Sequence, residues 1–372
     1  MPTRYRLPDL DDLTRLGKPH ERALTIYAPT DPADRPASRL ALKSAVDDAL
    51  RQVRETGVRP AVEDALRAQW DAFAASDVWS ELAGSIALFL AEDGYEAYVL
   101  PNILQPQVQV GTRYDIGQLV RAVTTPQEAY ALTLSADGWN LWHATATTRA
   151  VELEIERTGI ADVAEATNRA TVRDRDHVRR LVGDEGLKVL LSTYIRRVSD
   201  AVTAELRGVD RDIPLFLFAA QPLLDLYRNA HASGHPLVTV QGSPDALAGH
   251  EIDEAIRVRL PGHNAAQVDA LATRLMDGTS GGLVAHDLAD IARATASGAV
   301  STMVYDFTAE IRGSLDTASG AIAYDKDGYD LSSMIVVQVL AQGGDVFAVR
   351  PGEITAPGWN GTAMAGLRFP LA

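Results

Sequence analysis

Residues 213–240, IPLFLFAAQPLLDLYRNAHASGHPLVTV, carry the pattern that decides the fold. Ile213–Ala220 is an unbroken apolar run of strand length, as expected for a strand buried on both faces. A helix is expected over Pro222–His231, and Leu237–Val240 supplies the next strand. Strand, helix, strand in that order predicts a parallel crossover unit. Just upstream, Leu187, Leu190, Leu191, Tyr194, Val198 and Leu206 mark one side of a long helix over 185–207, and Gly208 is placed to end it.

Moving towards the N-terminus, residues 155–185 are polar and rich in Arg and Asp, which reads as a long loop. Before it, residues 130–147 give two apolar stretches around Asp137-Gly138, a hairpin signal. Residues 84–102 repeat that pattern around Asp93-Gly94. A strand is expected over 22–28 and a helix over 38–55, on which Leu42, Val46, Ala49, Leu50 and Val53 recur at helical spacing. A second helix should follow Pro60. Towards the C-terminus the expected elements are a helix over 284–297, a strand over 301–307, a helix capped by Asp330, and strands over 345–349 and 366–370.

At roughly 100–200 residues per domain, 372 residues predict two or three domains. The breaks fall into 1–126, 127–275 and 276–372. The chain has no cysteine, which excludes a disulfide framework, a Cys-ligated zinc and a cysteine nucleophile. The first 20 residues lack the apolar core of a secretory signal, and no apolar run approaches the ~20 residues of a membrane span. A cytoplasmic protein with no membrane partner is the expectation.

Chemistry-bearing motifs are sparse. The glycine-rich Gly278–Gly282, Gly-Thr-Ser-Gly-Gly, has the letters of a Gly-x-Ser-x-Gly elbow, but it follows a helix, where that elbow follows a strand, and it lacks the lysine of a phosphate-binding loop. His231 and His235 are four apart, but Gly234 and Pro236 place them at a helix end, so they read as exposed turn histidines. No catalytic residue, metal site or cofactor is expected. The formal net charge is −15, which argues against general coating of nucleic acid. One segment reverses the sign. Arg169, Arg173, Arg175, Arg179 and Arg180 stand against only Asp174 and Asp176, at the entrance to the long helix. Guanidinium forks suit phosphate, so these five arginines are the candidate RNA-binding residues.

The 194–206 helix, FLFAAQPLLDLYRNA (216–230) and QGSPDAL (241–247) together resemble the bacterial archaeo-eukaryotic release-factor-like (baeRF) proteins. DLADIARATASGAVSTMVYD (287–306) is similar to the C-terminal signature of that superfamily, and the closing GGDVFAV…GTAMAGLRF is similar to its last strands. The resemblance covers roughly residues 125–372. It implies an α/β protein of three α/β domains: an N-terminal one, an RNase H-like middle domain, and an α/β/α C-terminal domain like kink-turn-binding proteins. Class-one archaeal and eukaryotic release factors and Pelota share the last two. Release factors carry Gly-Gly-Gln before the long helix of the middle domain. Here the Gly-Gly pairs are followed by Leu283 and Asp345, and the corresponding loop is the Arg-rich one.

The resemblance therefore implies a ribosome-associated factor of the rescue or hibernation type that does not hydrolyse peptidyl-tRNA. Ribosomal RNA or tRNA would be its nucleic-acid partner. The alternatives are a metal-dependent RNA- or nucleotide-processing enzyme, disfavoured by the absence of carboxylates within Ile213–Ala220, and a protein-binding adaptor. The three segments carry net charges of −4, −5 and −6. The last is the most acidic for its length and is expected to bind a protein partner rather than RNA.

Overall fold

The structure is a computed structural model and describes residues 3–145, 148–167, 184–277, 281–326 and 328–371. They fall into two compact units, one of Pro126–His263 and one combining Met1–Thr125 with Asn264–Ala372.

In the N-terminal third, β1 (Thr3–Arg4), β2 (Ala23–Pro29), β3 (Ser85–Ala91), β4 (Gly94–Leu100) and β5 (Gln107–Gly111) form one sheet, ordered β1-β4-β3-β2-β5. Helices Arg35–Glu55 and Pro60–Ala74 cover one face. Leu42, Val46, Leu50, Leu66 and Phe73 pack there against Leu24, Ile26, Ile86 and Leu88. Asp34 caps the first helix by accepting from the Ala37 amide at 3.0 Å, and Pro36 and Pro60 fit first turns, where an amide would be unpaired anyway. The hairpin at Asp93-Gly94 forms as expected, but Gly94 has no positive φ. It already pairs with Ala91, so Glu92 and Asp93 make the turn.

The middle unit contains β6 (Ala129–Leu134), β7 (Trp139–Ala144), β8 (Val151–Glu152), β9 (Leu215–Ala219) and β10 (Leu237–Gln241), ordered β10-β9-β6-β7-β8. The first three strands are mutually antiparallel, while β9 and β10 run parallel to β6. Numbered within the unit, the order is 3-2-1-4-5, the RNase H-like arrangement. The apolar run now has its reason. Leu215, Leu217 and Ala219 face the core under helix Asp184–Glu205, which contributes Tyr194, Ile195, Val198 and Val202. Phe216 and Phe218 face Ile252, Ile256 and Leu260, in the first half of helix Gly249–Asp277. A strand sandwiched by helices has no polar face to show.

The last third has an α/β/α arrangement. β11 (Val284–Ala285), β12 (Val300–Asp306), β16 (Asp345–Val349) and β17 (Ala363–Leu367) form a sheet ordered β11-β17-β12-β16. Val304, Val349 and Met364 on one face meet Val268, Leu271, Ala272 and Leu275 of the Gly249–Asp277 helix. Met303 and Tyr305 on the other meet helices Leu288–Ala296 and Leu331–Ala341. A separate small sheet, β14-β13-β15, comprises β13 (Arg312–Leu315), β14 (Ile322–Tyr324) and β15 (Tyr329–Asp330). Two boundaries differ from expectation. Val284 is in a strand, because Asp287 accepts from the Ala289 amide and starts the helix only at Leu288. The final strand begins at Ala363 rather than 366. Its small residues admit close packing, and a Cβ on Gly366 would lie 2.7 Å from a Leu275 methyl.

The first and last thirds share one core. Tyr27, Phe89, Tyr98 and Leu119 belong to the same apolar cluster as Met303, Tyr305, Ile335 and Val339. Among the described residues no helix is long and apolar enough to cross a membrane.

Candidate nucleic-acid interface

Arg169, Arg173, Arg175, Arg179 and Arg180 lie outside the described residues. What the structure gives is the frame on either side of them. The chain leaves β8 and is fastened to the β6–β7 hairpin. The Trp139 indole donates to the Ile160 carbonyl at 2.8 Å, and Arg157 donates to the Trp139 carbonyl at 2.7 Å. The Gly159 and Ala161 amides donate to the Glu165 carboxylate at 2.8 and 3.0 Å. Asp162 caps the one-turn helix Val163–Ala166 through the Glu165 amide at 2.8 Å. That turn buries Val163 and Ala166 in the same cluster as Leu191, Tyr194 and Ile195 of the long helix. The Tyr194 hydroxyl, pushed up in pKa by burial, donates to the Ser135 carbonyl at 3.1 Å. The segment holding the five arginines thus departs from one anchored element and returns into another.

The long helix adds cations that the sequence reading passed over. Lys188, Arg196 and Arg197 are exposed on it. Lys188 and Arg196 make no ion pair among the described residues, and Arg197 reaches only the Gly159 carbonyl, at 3.5 Å. Lys188 and Arg196 are two turns apart, about 12 Å along the axis. Elsewhere in the unit Arg149, Arg207 and Arg211 are likewise exposed with no ion pair among the described residues, while other cations are engaged. Arg257 bonds the Gln127 and Thr145 carbonyls at 2.9 and 2.6 Å and meets Asp253 at 3.4 Å. Arg228 pairs with Asp225, and Arg157 pairs with Glu152 at 3.1 Å. The spacing 188, 192, 196 was visible in sequence, but only the fold shows which side of the helix the core leaves free.

The opposite charge gathers on the sheet edge. Glu152, Glu154 and Glu156 alternate outward along an extended stretch, while Leu153 and Ile155 pack on the core. Among the described residues no group of three His, Asp or Glu side chains could hold a metal ion. β6 and β9, the central strands, contain no carboxylate. His235 is not an exposed turn residue. It is buried, and its Nδ1 bonds the Ile213 carbonyl at 2.9 Å, while His231 Nε2 bonds the His235 carbonyl at 2.9 Å. The two imidazoles hold the entry to β9 and β10 in place.

An RNase H-like unit with cations facing solvent along its long helix defines the class. Residues 126–268 match the family model described as "Bacterial archaeo-eukaryotic release factor family 8", which bears out the resemblance for this part of the chain. No curated protein matches the chain in sequence. Among solved structures, archaeal Pelota in a model of ribosome-bound archaeal Pelota and ABCE1 is 13% identical, covering 98% of this chain and 95% of its own, with a TM-score of 0.41. Archaeoglobus fulgidus Pelota is 14% identical over 97% and 92%, with a TM-score of 0.39. The archaeal translation termination factor aRF1 is 15% identical over 99% of both chains, with a TM-score of 0.23.

Proposed function

We propose that this protein is a ribosome-associated translation factor of the rescue or hibernation type, working through three parts, 1–126, 127–275 and 276–372. The observation that carries this reading is the family match over residues 126–268, the part containing the Arg-rich segment at the entrance to the long helix. Arg169, Arg173, Arg175, Arg179 and Arg180 contact ribosomal RNA or tRNA phosphates, and Lys188, Arg196 and Arg197 extend that contact along the helix. The sequence contains no Gly-Gly-Gln, so the factor does not hydrolyse peptidyl-tRNA. The acidic C-terminal part, with net charge −6, repels RNA and receives a protein partner.

Ribosome co-sedimentation from growing, stalled and stationary cells tests the reading. The protein should travel with ribosomes in at least one state, and should be released when the five arginines are replaced by alanine. Binding should also weaken steeply with salt, since each neutralised phosphate adds to the slope. Absence from ribosomes in all three states would overturn it.

A further inference from the structure

In the unit formed by the first and last thirds, a polar cleft of about 310 Å³ lies between β5 and the β13–β15 sheet. It is at the small end of ligand-sized cavities. Its wall holds three arginines, Arg22, Arg113 and Arg312, and three carboxylates, Asp115, Glu310 and Asp330. The numbers match, but the availability of the two sets does not.

The carboxylates are committed. Asp115 accepts from the Gly117 amide at 3.0 Å and from the Gln107 side-chain amide at 2.7 Å. Asp330 accepts from the Ser332 and Ser333 amides at 3.3 and 2.8 Å. Each of these two carboxylates thus already accepts from amides in the first turn of a neighbouring helix. Glu310 is exposed and pairs with Arg312 at 3.1 Å.

The other two arginines have donors to spare. Arg113 gives one nitrogen to the Gly17 carbonyl and lies 5.2 Å from the centroid of the Tyr329 ring. Arg22 has no ion pair among the described residues, and its Nε is buried without an acceptor. Gln109, also on the wall, has a buried side-chain oxygen without a donor. A buried guanidinium N–H left unpaired is costly, and such groups mark places where a bound molecule completes the bonding.

We propose that this cleft is a binding site for a small oxyanion of the phosphate class, held by Arg22 and Arg113 with the Gln109 amide as a further donor. An oxyanion accepts two parallel bonds from one guanidinium, and the Arg22 guanidinium has no protein acceptor among the described residues.

Titration calorimetry of the full chain with pyrophosphate at pH 7.5 and low salt tests this, with citrate as the carboxylate control. One pyrophosphate should bind per chain. Arg22→Ala should bind about tenfold or more weakly, about 1.4 kcal/mol, with an unfolding midpoint no lower than the wild type's, because the side chain it removes has no hydrogen-bond partner among the described residues. Arg22→Lys, which keeps the charge but loses the fork, should recover only part of the affinity. No binding to the wild type at millimolar pyrophosphate, equal binding by Arg22→Ala, or binding of citrate alone would each overturn the proposal. The cleft shares no residue with the proposed RNA contact, so ribosome co-sedimentation is unaffected by either result.

Discussion

The middle unit and the core shared by the first and last thirds treat charge in opposite ways. In the middle unit both faces of the sheet are lined with apolar side chains, and cations such as Lys188 and Arg196 stand in solvent. In the shared core, polar fasteners are half-buried at the join. Arg121 donates to both carboxylate oxygens of Glu353 at 2.8 Å and to the Ala348 carbonyl at 2.7 Å, across 232 residues of sequence. Phe307 lies under the guanidinium groups of Arg121 and Arg350, at 5.5 and 5.8 Å. The Tyr329 hydroxyl donates to the Tyr114 carbonyl at 2.8 Å. The lesson is that the cations on the outer side of the long helix are free for external contact, because removing them costs the fold little. Charge at the join fixes how two distant segments pack.

The comparison breaks most visibly at Arg121. Arg121→Ala leaves the Glu353 carboxylate half-buried and opposed by less positive charge, and should cost about 3 kcal/mol in urea unfolding. A loss below about 1 kcal/mol would mean the join is held by apolar packing alone. The next effect comes from Asp330, whose carboxyl is pushed by burial from 3.8 up to about 6. Below about pH 4 it is protonated in both the folded and unfolded chain. Between about 4 and 6 the folded chain holds the proton more tightly, so stability falls as pH rises, and above about 6 the whole cost is present. Asp330→Asn keeps an N-cap acceptor without the charge. It should match the wild type near pH 4 and exceed it at pH 8 by about 1–3 kcal/mol. A wild type that is the more stable at pH 8 would show that the ionised cap outweighs its burial.

Much of this architecture was legible because it is local. The Arg35–Glu55 helix follows from its apolar spacing from residue 38 onward, and β9 from an apolar run too short for a helix in that setting. The shared core was not legible. Residues 27, 89 and 119 meet 303–305 and 335–339 only through the folded chain, and no periodicity encodes that meeting. The same holds for the cleft, whose wall combines residue 22 with 109–115 and 307–330. The Arg-rich segment stood out by charge alone, whereas Lys188, Arg196 and Arg197 needed the buried side of their helix to be known. The hairpin at 93–94 was placed correctly for a partly wrong reason, since Gly94 takes no positive φ.

A smaller effect separates anchoring from contact within the middle unit. Tyr194→Phe removes the hydroxyl that ties the long helix to Ser135 and nothing else. It should cost about 1 kcal/mol, the net value of one such hydrogen bond, with ribosome binding retained at physiological temperature. Loss of binding without loss of stability would place Tyr194 in the contact itself.

The smallest change in stability should come from the triple variant Lys188→Ala, Arg196→Ala, Arg197→Ala. These side chains are exposed, and among the described residues only Arg197 has a contact, a long one to the Gly159 carbonyl. Alanine is also the better helix former, so the unfolding free energy should move by less than about 0.5 kcal/mol. Ribosome affinity, measured by sedimentation across a salt series, should nevertheless drop, and the slope of its logarithm against salt should become shallower by about two to three. The two readouts together are decisive for the comparison. If stability falls by more than about 1 kcal/mol, the middle unit uses its surface charge as the join does, for holding itself together. If stability holds and the salt slope is unchanged, the helix cations face nothing on the ribosome, and any contact is confined to residues 169–180.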